Sequence, residues 1–448
     1  MEKVNQADLG FRWCQYVFDI YLGLLFSVYI LFCAPYTGIV NLKHTLFLVI
    51  CGGFALLICV SIAELLLLRQ INLKELLCLF AKQKTLICLI IAYLFFTLLS
   101  AILSPYEYNS WIGFSRYEGV LTQIIYMAIL LLSSIFGRVK KWHVYLFGMT
   151  TLFFSLLCLV QIMGYNPFGL YPGGYNYHDA YIAYSGEYIG TIGNSDLVSG
   201  FLSMIVIMFF TLVLMKPNKN WYVFLIPLIF DVVVLFLIGV AAGILSTVVT
   251  AFFLFPYVKW LKKSKNLKYI LFIEGAIVLL SIVFVYCYDF GGKGTLYEFH
   301  EILHGRISQS FGSHRIMIWE NVIREMPKHL WFGTGPDSMG LWELKGFTKY
   351  VEDLGYYIEQ GIDIAHNEYL NVAAQQGVFS FISYISLIGF AIFTFFRKSE
   401  KKIKILFLAP IIAYLIQAFF GFSMCIVSPF FWTFLGILLN NEENKCGL

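Results

Sequence analysis

Two side chains in this sequence are hard to explain as surface decoration. Arg315 lies in Gly312-Ser313-His314-Arg315-Ile316-Met317-Ile318-Trp319, which predicts a helix capped by Ser313 and closed by Pro327, with Ile316, Trp319 and Ile323 as its apolar stripe. An arginine on a helix is usually paired three or four residues away. Arg324 has Glu320 at that spacing, but Arg315 has only Phe311, Gly312, Ile318 and Trp319. Its guanidinium must find a partner outside its own helix. A phosphate suits its fork of donors, and structural pairing elsewhere in the fold is the alternative.

His366 lies in Ala365-His366-Asn367-Glu368-Tyr369-Leu370, at the start of an apolar run that Asp363 could cap. A helix N-terminus disfavours imidazolium, so His366 should stay neutral, as a general base must. The plainer alternative is a rim histidine bonding lipid headgroups or loop carbonyls. Asn367 and Trp319, beside these two residues, are candidate substrate contacts.

Three further patterns need weighing. His300-Glu301-Ile302-Leu303-His304 matches the H-E-x-x-H zinc signature, in which two histidines one turn apart share a metal and the glutamate acts as base. A third ligand could be Glu320, Glu325 or His314, but the extended form of the motif is absent, and an amphipathic helix explains the same residues. Segment 164–195 carries Tyr165, Phe168, Tyr171, Tyr175, Tyr177, Tyr181, Tyr184 and Tyr188 without any Lys or Arg. These rings form an interfacial belt or, with Tyr177 and Tyr181 at the centre, a surface for stacking sugars. Asn194 or Ser195 then caps the next helix, and Asn194 is a further candidate contact. Gly333-Thr334-Gly335-Pro336-Asp337 reads as a turn.

The elements that must hold these residues are membrane helices. Of 448 residues, 59% are hydrophobic and 13% charged, with a mean hydropathy of +0.76; a soluble domain carries about twice that share of charge. Apolar runs near 18–38, 45–68, 85–104, 119–136, 143–163, 196–215, 269–288, 369–396, 405–425 and 429–439, with 221–258 folded in two near Gly239 to Gly243, predict about twelve spans. The expected class is an all-α integral membrane protein with one large helical extracytoplasmic loop between spans 9 and 10. Residues 1–288 hold spans 1–9 with short loops, 289–366 the large loop, and 367–448 spans 10–12 and a cytoplasmic tail.

Most of the 31 Lys and Arg fall in one set of alternate loops, which the positive-inside rule places in the cytoplasm with both termini. Every histidine except His143 then lies outside. The first run lacks a cleavage site and reads as a retained anchor. The net charge of +4 comes without a basic block, so nucleic acid is not an expected partner. The cysteines lie in apolar runs or inner loops without C-x-x-C spacing, and read as core residues. No outer loop holds an Asp-x-Asp pair for a metal–sugar-nucleotide site, and the loop Asn41–His44 holds no carboxylate.

In order and spacing, Gly-Thr-Ile-Gly-Asn (190–194), the Arg315 segment, Gly-Thr-Gly-Pro-Asp (333–337) and the His366 segment resemble the O-antigen ligase/polymerase superfamily of bacterial membrane proteins. The resemblance covers roughly 190–390 and implies transfer of a glycan from an undecaprenyl-diphosphate carrier to a glycan, lipid or wall-polymer acceptor at the outer face of the plasma membrane. No cofactor is implied. It puts Arg315 and His366 in the catalytic roles. Many members carry a second arginine opening span 8, where this chain has Gly239-Val240-Ala241-Ala242-Gly243. Arg116 or Arg306 would have to replace it. The expected chemistry is a single, inverting displacement: a cation on the leaving diphosphate, and His366 taking the acceptor proton. Two rivals remain: a polytopic transporter or flippase of polysaccharide precursors, with Glu64, Asp231 and Glu274 as its embedded charges, and the zinc metalloprotease.

Overall fold

The computed structural model describes residues 6–106, 108–170, 188–217, 219–292, 294–351, 356–397 and 401–440. Among them, nine helices are long and apolar enough to cross a membrane, and three shorter apolar helices cover Val120–Phe136, Lys404–Ala418 and Ser428–Leu439. Such helices follow from the apolar runs, because lipid offers no hydrogen bonds and the backbone must satisfy itself. The protein is a multi-pass membrane protein.

The first predicted run is displaced. One helix occupies Phe11–Leu31 and the next Tyr36–Leu67, with the break just before Pro35. A proline without an N–H, which also pushes Ala34 out of helical geometry, interrupts the apolar run from inside. The long run 221–258 does divide where expected: Leu225–Ile238 ends on left-handed Gly239, and Ala241–Leu261 follows.

The centre of the bundle is the helix Ser195–Met215, buried over most of its length. It packs on Lys401–Ala418 and Ala241–Leu261. At the second contact a Cβ on Gly243 would stand 2.7 Å from the Ser199 Cβ, so only glycine lets these backbones approach. The Gly239–Gly243 stretch therefore serves as turn and packing surface. At the periphery, Leu267–Cys287 has no buried residue.

Beyond it come the helices Thr295–Leu303 and Arg315–Glu325, a 3-10 turn through Pro327, and an antiparallel pair, Phe347–Val351 with Tyr356–Gln360. A second short pair joins Tyr188–Ile189 to Gly193–Asn194. These two small hairpins are the strands of an otherwise helical structure among the described residues. Ile318, Val322, Met339, Trp342, Ile362 and Ala365 form a separate apolar core with Ala374 of the helix Glu368–Arg397. This core seats the Arg315 helix on a membrane helix. The buried face of that helix is Ile318 and Val322, and Ile323 of the predicted stripe is exposed.

Candidate functional site

The site is built around a carboxylate at the head of the central helix. The Asn194 side chain accepts from the backbone N–H of Asp196 at 2.9 Å and of Leu197 at 3.3 Å, capping that helix as its type predicts. This leaves Asp196 in the first turn. Its Oδ1 lies 3.5 Å from Nη2 of Arg315, and its Oδ2 lies 3.7 Å from Nδ1 of His366. Arg315 therefore does look beyond its own helix, and it meets His366 across one shared acid. Both distances exceed those of a tight charge-assisted bond.

Arg315 and His366 are also tied through backbone. Trp319, one turn after Arg315, donates its Nε1–H to the Ala365 carbonyl at 2.8 Å. The Ala365 N–H donates to Asn371 Oδ1 at 2.9 Å, and Asn367 Oδ1 accepts from the Leu370 N–H at 3.0 Å. His366 thus stands between two pinned neighbours, with φ of 47°, a left-handed value that a non-glycine residue keeps only where its surroundings impose it. Asn367 is the cap here. Asp363 is engaged elsewhere, which corrects the expected cap. Ser313 does not cap the Arg315 helix either: His314 holds that position, and both have left-handed φ.

Arg116 arrives by a longer chain of supports. The turn at 333–337 locks onto the kink of the helix Glu368–Arg397, where the Thr334 and Gly335 N–H groups both donate to the Gln375 carbonyl at 2.8 Å. A Cβ on Gly333 would stand 2.1 Å from that oxygen, and one on Gly335 2.0 Å from the Ser110 hydroxyl. Anchored this way, Asp337 Oδ2 accepts the N–H groups of Ser115 at 3.2 Å and Arg116 at 2.9 Å. The Arg116 side chain then bonds Asp363 at 2.7 Å and lies 4.5 Å over the Phe422 ring. The same ring meets His366 edge-on at 5.6 Å. Arg116, Arg315 and His366 thus come together from three distant parts of the chain.

The electrostatics of the cluster are unbalanced. Burial holds the His366 imidazole below its ordinary value. Asp196 pulls it upward, while Arg315 and Arg116 push it further down. The imidazole is neutral at neutral pH. Arg116 Nε, Arg315 Nε and His366 Nδ1 are all buried without a hydrogen-bond partner. Buried donors on charged groups are rarely left open. Two guanidinium groups with spare donors can take an anion, and an adjacent neutral imidazole can take a proton.

The remaining predicted residues fall as follows. Arg306 makes a two-pronged pair with Glu301, at 2.7 and 2.6 Å, and no contact links it to the Asp196 cluster. Trp319, Asn194 and Asn367 spend the polar contacts described above on holding backbone. Tyr177 and Tyr181 lie outside the described residues. The His300 and His304 rings lie 4.2 Å apart, tilted by 39°, their Nδ1 atoms on the carbonyls of Val285 and His300. Among the described residues no group of three or more His, Cys, Asp or Glu is placed to hold a metal ion. Asp196 and Asp337 were not singled out in the sequence. Asp196 had a signal in its place just after a capping Gly-Asn-Ser; Asp337 had only the turn.

Residues 189–385 match a family model described as O-antigen ligase, the stretch in which Asp196, Arg315 and His366 all lie. No curated protein matches the sequence. Over this segment the chain is similar to the O-antigen ligase family.

Proposed function

We propose that this protein is a surface-polysaccharide polymerase or ligase that transfers a glycan from an undecaprenyl-diphosphate carrier to an acceptor hydroxyl, at the outer face of the plasma membrane. One observation carries the reading: Arg116 and Arg315 converge beside His366 with buried, unpartnered Nε donors. Asp196 and Asp363 hold the guanidinium groups until the diphosphate arrives, and the long Asp196 contact is easily exchanged. Arg116 supplies the second cation that the Gly239–Gly243 stretch lacks.

In the reaction the acceptor oxygen attacks the anomeric carbon, and its proton passes to His366. The bond from that carbon to the diphosphate breaks, and the electron pair leaves on the diphosphate oxygen. With Nδ1 turned toward Asp196, Nε2 is the nitrogen left for the acceptor. The guanidinium groups offset the charge that grows on the leaving group, the kind of contact whose removal costs about 10²–10³ in rate. They can do this without a metal, and a single displacement inverts the anomeric configuration.

Donor binding also prepares the base. The two cations depress His366, and a bound diphosphate cancels their field, so the imidazole gains basicity when the donor is in place. Donor should therefore bind before the proton is taken.

The test is the purified protein with carrier-diphosphate oligosaccharide and candidate acceptors in EDTA. The expected result is longer or transferred glycan, inverted at the new linkage, with carrier diphosphate released. Intact donor with every candidate acceptor would overturn the proposal.

A further inference from the structure

A second cleft lies beside the Arg315 helix, with a volume of about 460 Å³, within the range of small-molecule sites. Tyr297, Glu298, Glu301, Arg306, Ser308 and Phe311 are among its lining residues. The Tyr297 and Phe311 rings stand 6.5 Å apart at 77°, making an aromatic corner. The Arg306 charge is matched by Glu301, and Glu298 accepts the Gly312 N–H at 3.1 Å. Among the described lining residues two carboxylates therefore face one guanidinium. Aromatic faces for C–H surfaces, together with carboxylates, a guanidinium and a serine hydroxyl for alcohols, are what a sugar ring needs.

Its place gives the cleft a role. Phe311 is four residues before Arg315, and a Cβ at Gly312 between them would stand 3.5 Å from the Arg315 Cβ. A glycan whose diphosphate sits on Arg315 must leave the site along some surface, and this cleft is lined by the segment that leads into the Arg315 helix. We infer that the cleft between Tyr297 and Phe311 is a carbohydrate subsite that holds sugar residues of the transferred glycan or of its acceptor, beyond the linkage being made. The inference rests on the glycan-transfer reading. It gives Glu301 and Arg306 a structural part in sugar recognition.

The probe is a phosphate-free oligosaccharide of a few repeat units, freed by mild acid from the surface polysaccharide of the source cell. Saturation-transfer NMR on the full chain in detergent should show magnetisation reaching the sugar C–H protons. Phe311→Ala and Tyr297→Ala should each weaken binding by about 3- to 10-fold, the range for a lost aromatic contact. Ser308 is exposed, so Ser308→Trp can fill the cleft without disturbing a core, and it should abolish the signal. Arg315→Ala should stop glycan transfer yet leave oligosaccharide binding unchanged. Absence of wild-type signal, or equal binding by Ser308→Trp, overturns the subsite even if the protein transfers glycan. Binding without any transfer would instead overturn the proposed function and leave the cleft standing.

Discussion

Two groups of acids lie close together in this fold and are treated in opposite ways. Glu118 and Glu368 line a polar cavity of about 40 Å³ behind Arg116, room for a few waters. Each of their carboxylate oxygens has a partner. Tyr126 donates to Glu118 at 2.7 Å, with Gln123 and Ser423 each at 3.4 Å on its other oxygen; Tyr384 and Tyr414 donate to Glu368 at 2.6 and 2.8 Å. Around Asp196 the contacts are long, and three buried nitrogens have no partner at all. A closed network specifies packing. An open one keeps donors for something that is not protein. Unsatisfied valence on partly buried groups is what marks the functional region.

That contrast fails or sharpens under substitution. The largest effect belongs to the open group. His366→Ala and Arg315→Ala should each lower transfer by about 10²–10³ or more, with thermal unfolding near that of the wild type. Arg116→Ala should follow, at about 10²-fold. It should also free Asp363, and donor KM should rise with the loss of rate. If Arg116→Ala retains full activity, the second cation lies elsewhere.

The closed group should behave the other way. Tyr414→Phe leaves one Glu368 oxygen in the bundle without its donor, and should destabilise the protein by about 1–3 kcal/mol. Surviving folded molecules should transfer glycan at nearly the wild-type rate. A specific loss of turnover with unchanged unfolding would place Glu368 in the chemistry and dissolve the distinction.

The pH profile gives a subtler test. His366 is held below its ordinary value, so activity should persist as pH falls through the usual imidazole range near 6.5 and be lost only below it. Asp196 raises this group. Asp196→Asn should therefore move the acid limb of kcat/KM to still lower pH and reduce the plateau. A limb that moves upward would contradict the assigned geometry. The smallest effect expected is that of Asn194→Ala, which removes a helix cap worth about 1 kcal/mol and loosens Asp196 without removing a charge.

Some of this was legible in the residues and some was not. Arg315 stood out because its helix offers no partner, and His366 because it sits at the mouth of an apolar run; both are local facts. The apolar runs located the helices, and the glycines at 239 and 243 located a turn, for the same reason. Arg116 was only one of two guesses. Its place depends on Asp337, which depends on backbone contacts between the 333–337 turn and Gln375; no local pattern encodes a closure of that length. The expected caps Ser313 and Asp363 fail because residue type alone does not set a cap: Ser313 and His314 take left-handed geometry, and Asp363 pairs with Arg116. In the H-E-x-x-H run the glutamate is held by Arg306, a contact five residues along that the motif does not encode.

The central claim is that two arginines with open donors grip a diphosphate. It is tested most directly by the affinity of the purified protein for undecaprenyl diphosphate, compared across three variants. Arg315→Ala and Arg116→Ala should each weaken binding by about 10- to 100-fold, the loss of one charge-assisted contact, whereas His366→Ala should bind as well as wild type or better. Undiminished affinity in both arginine variants would contradict the account.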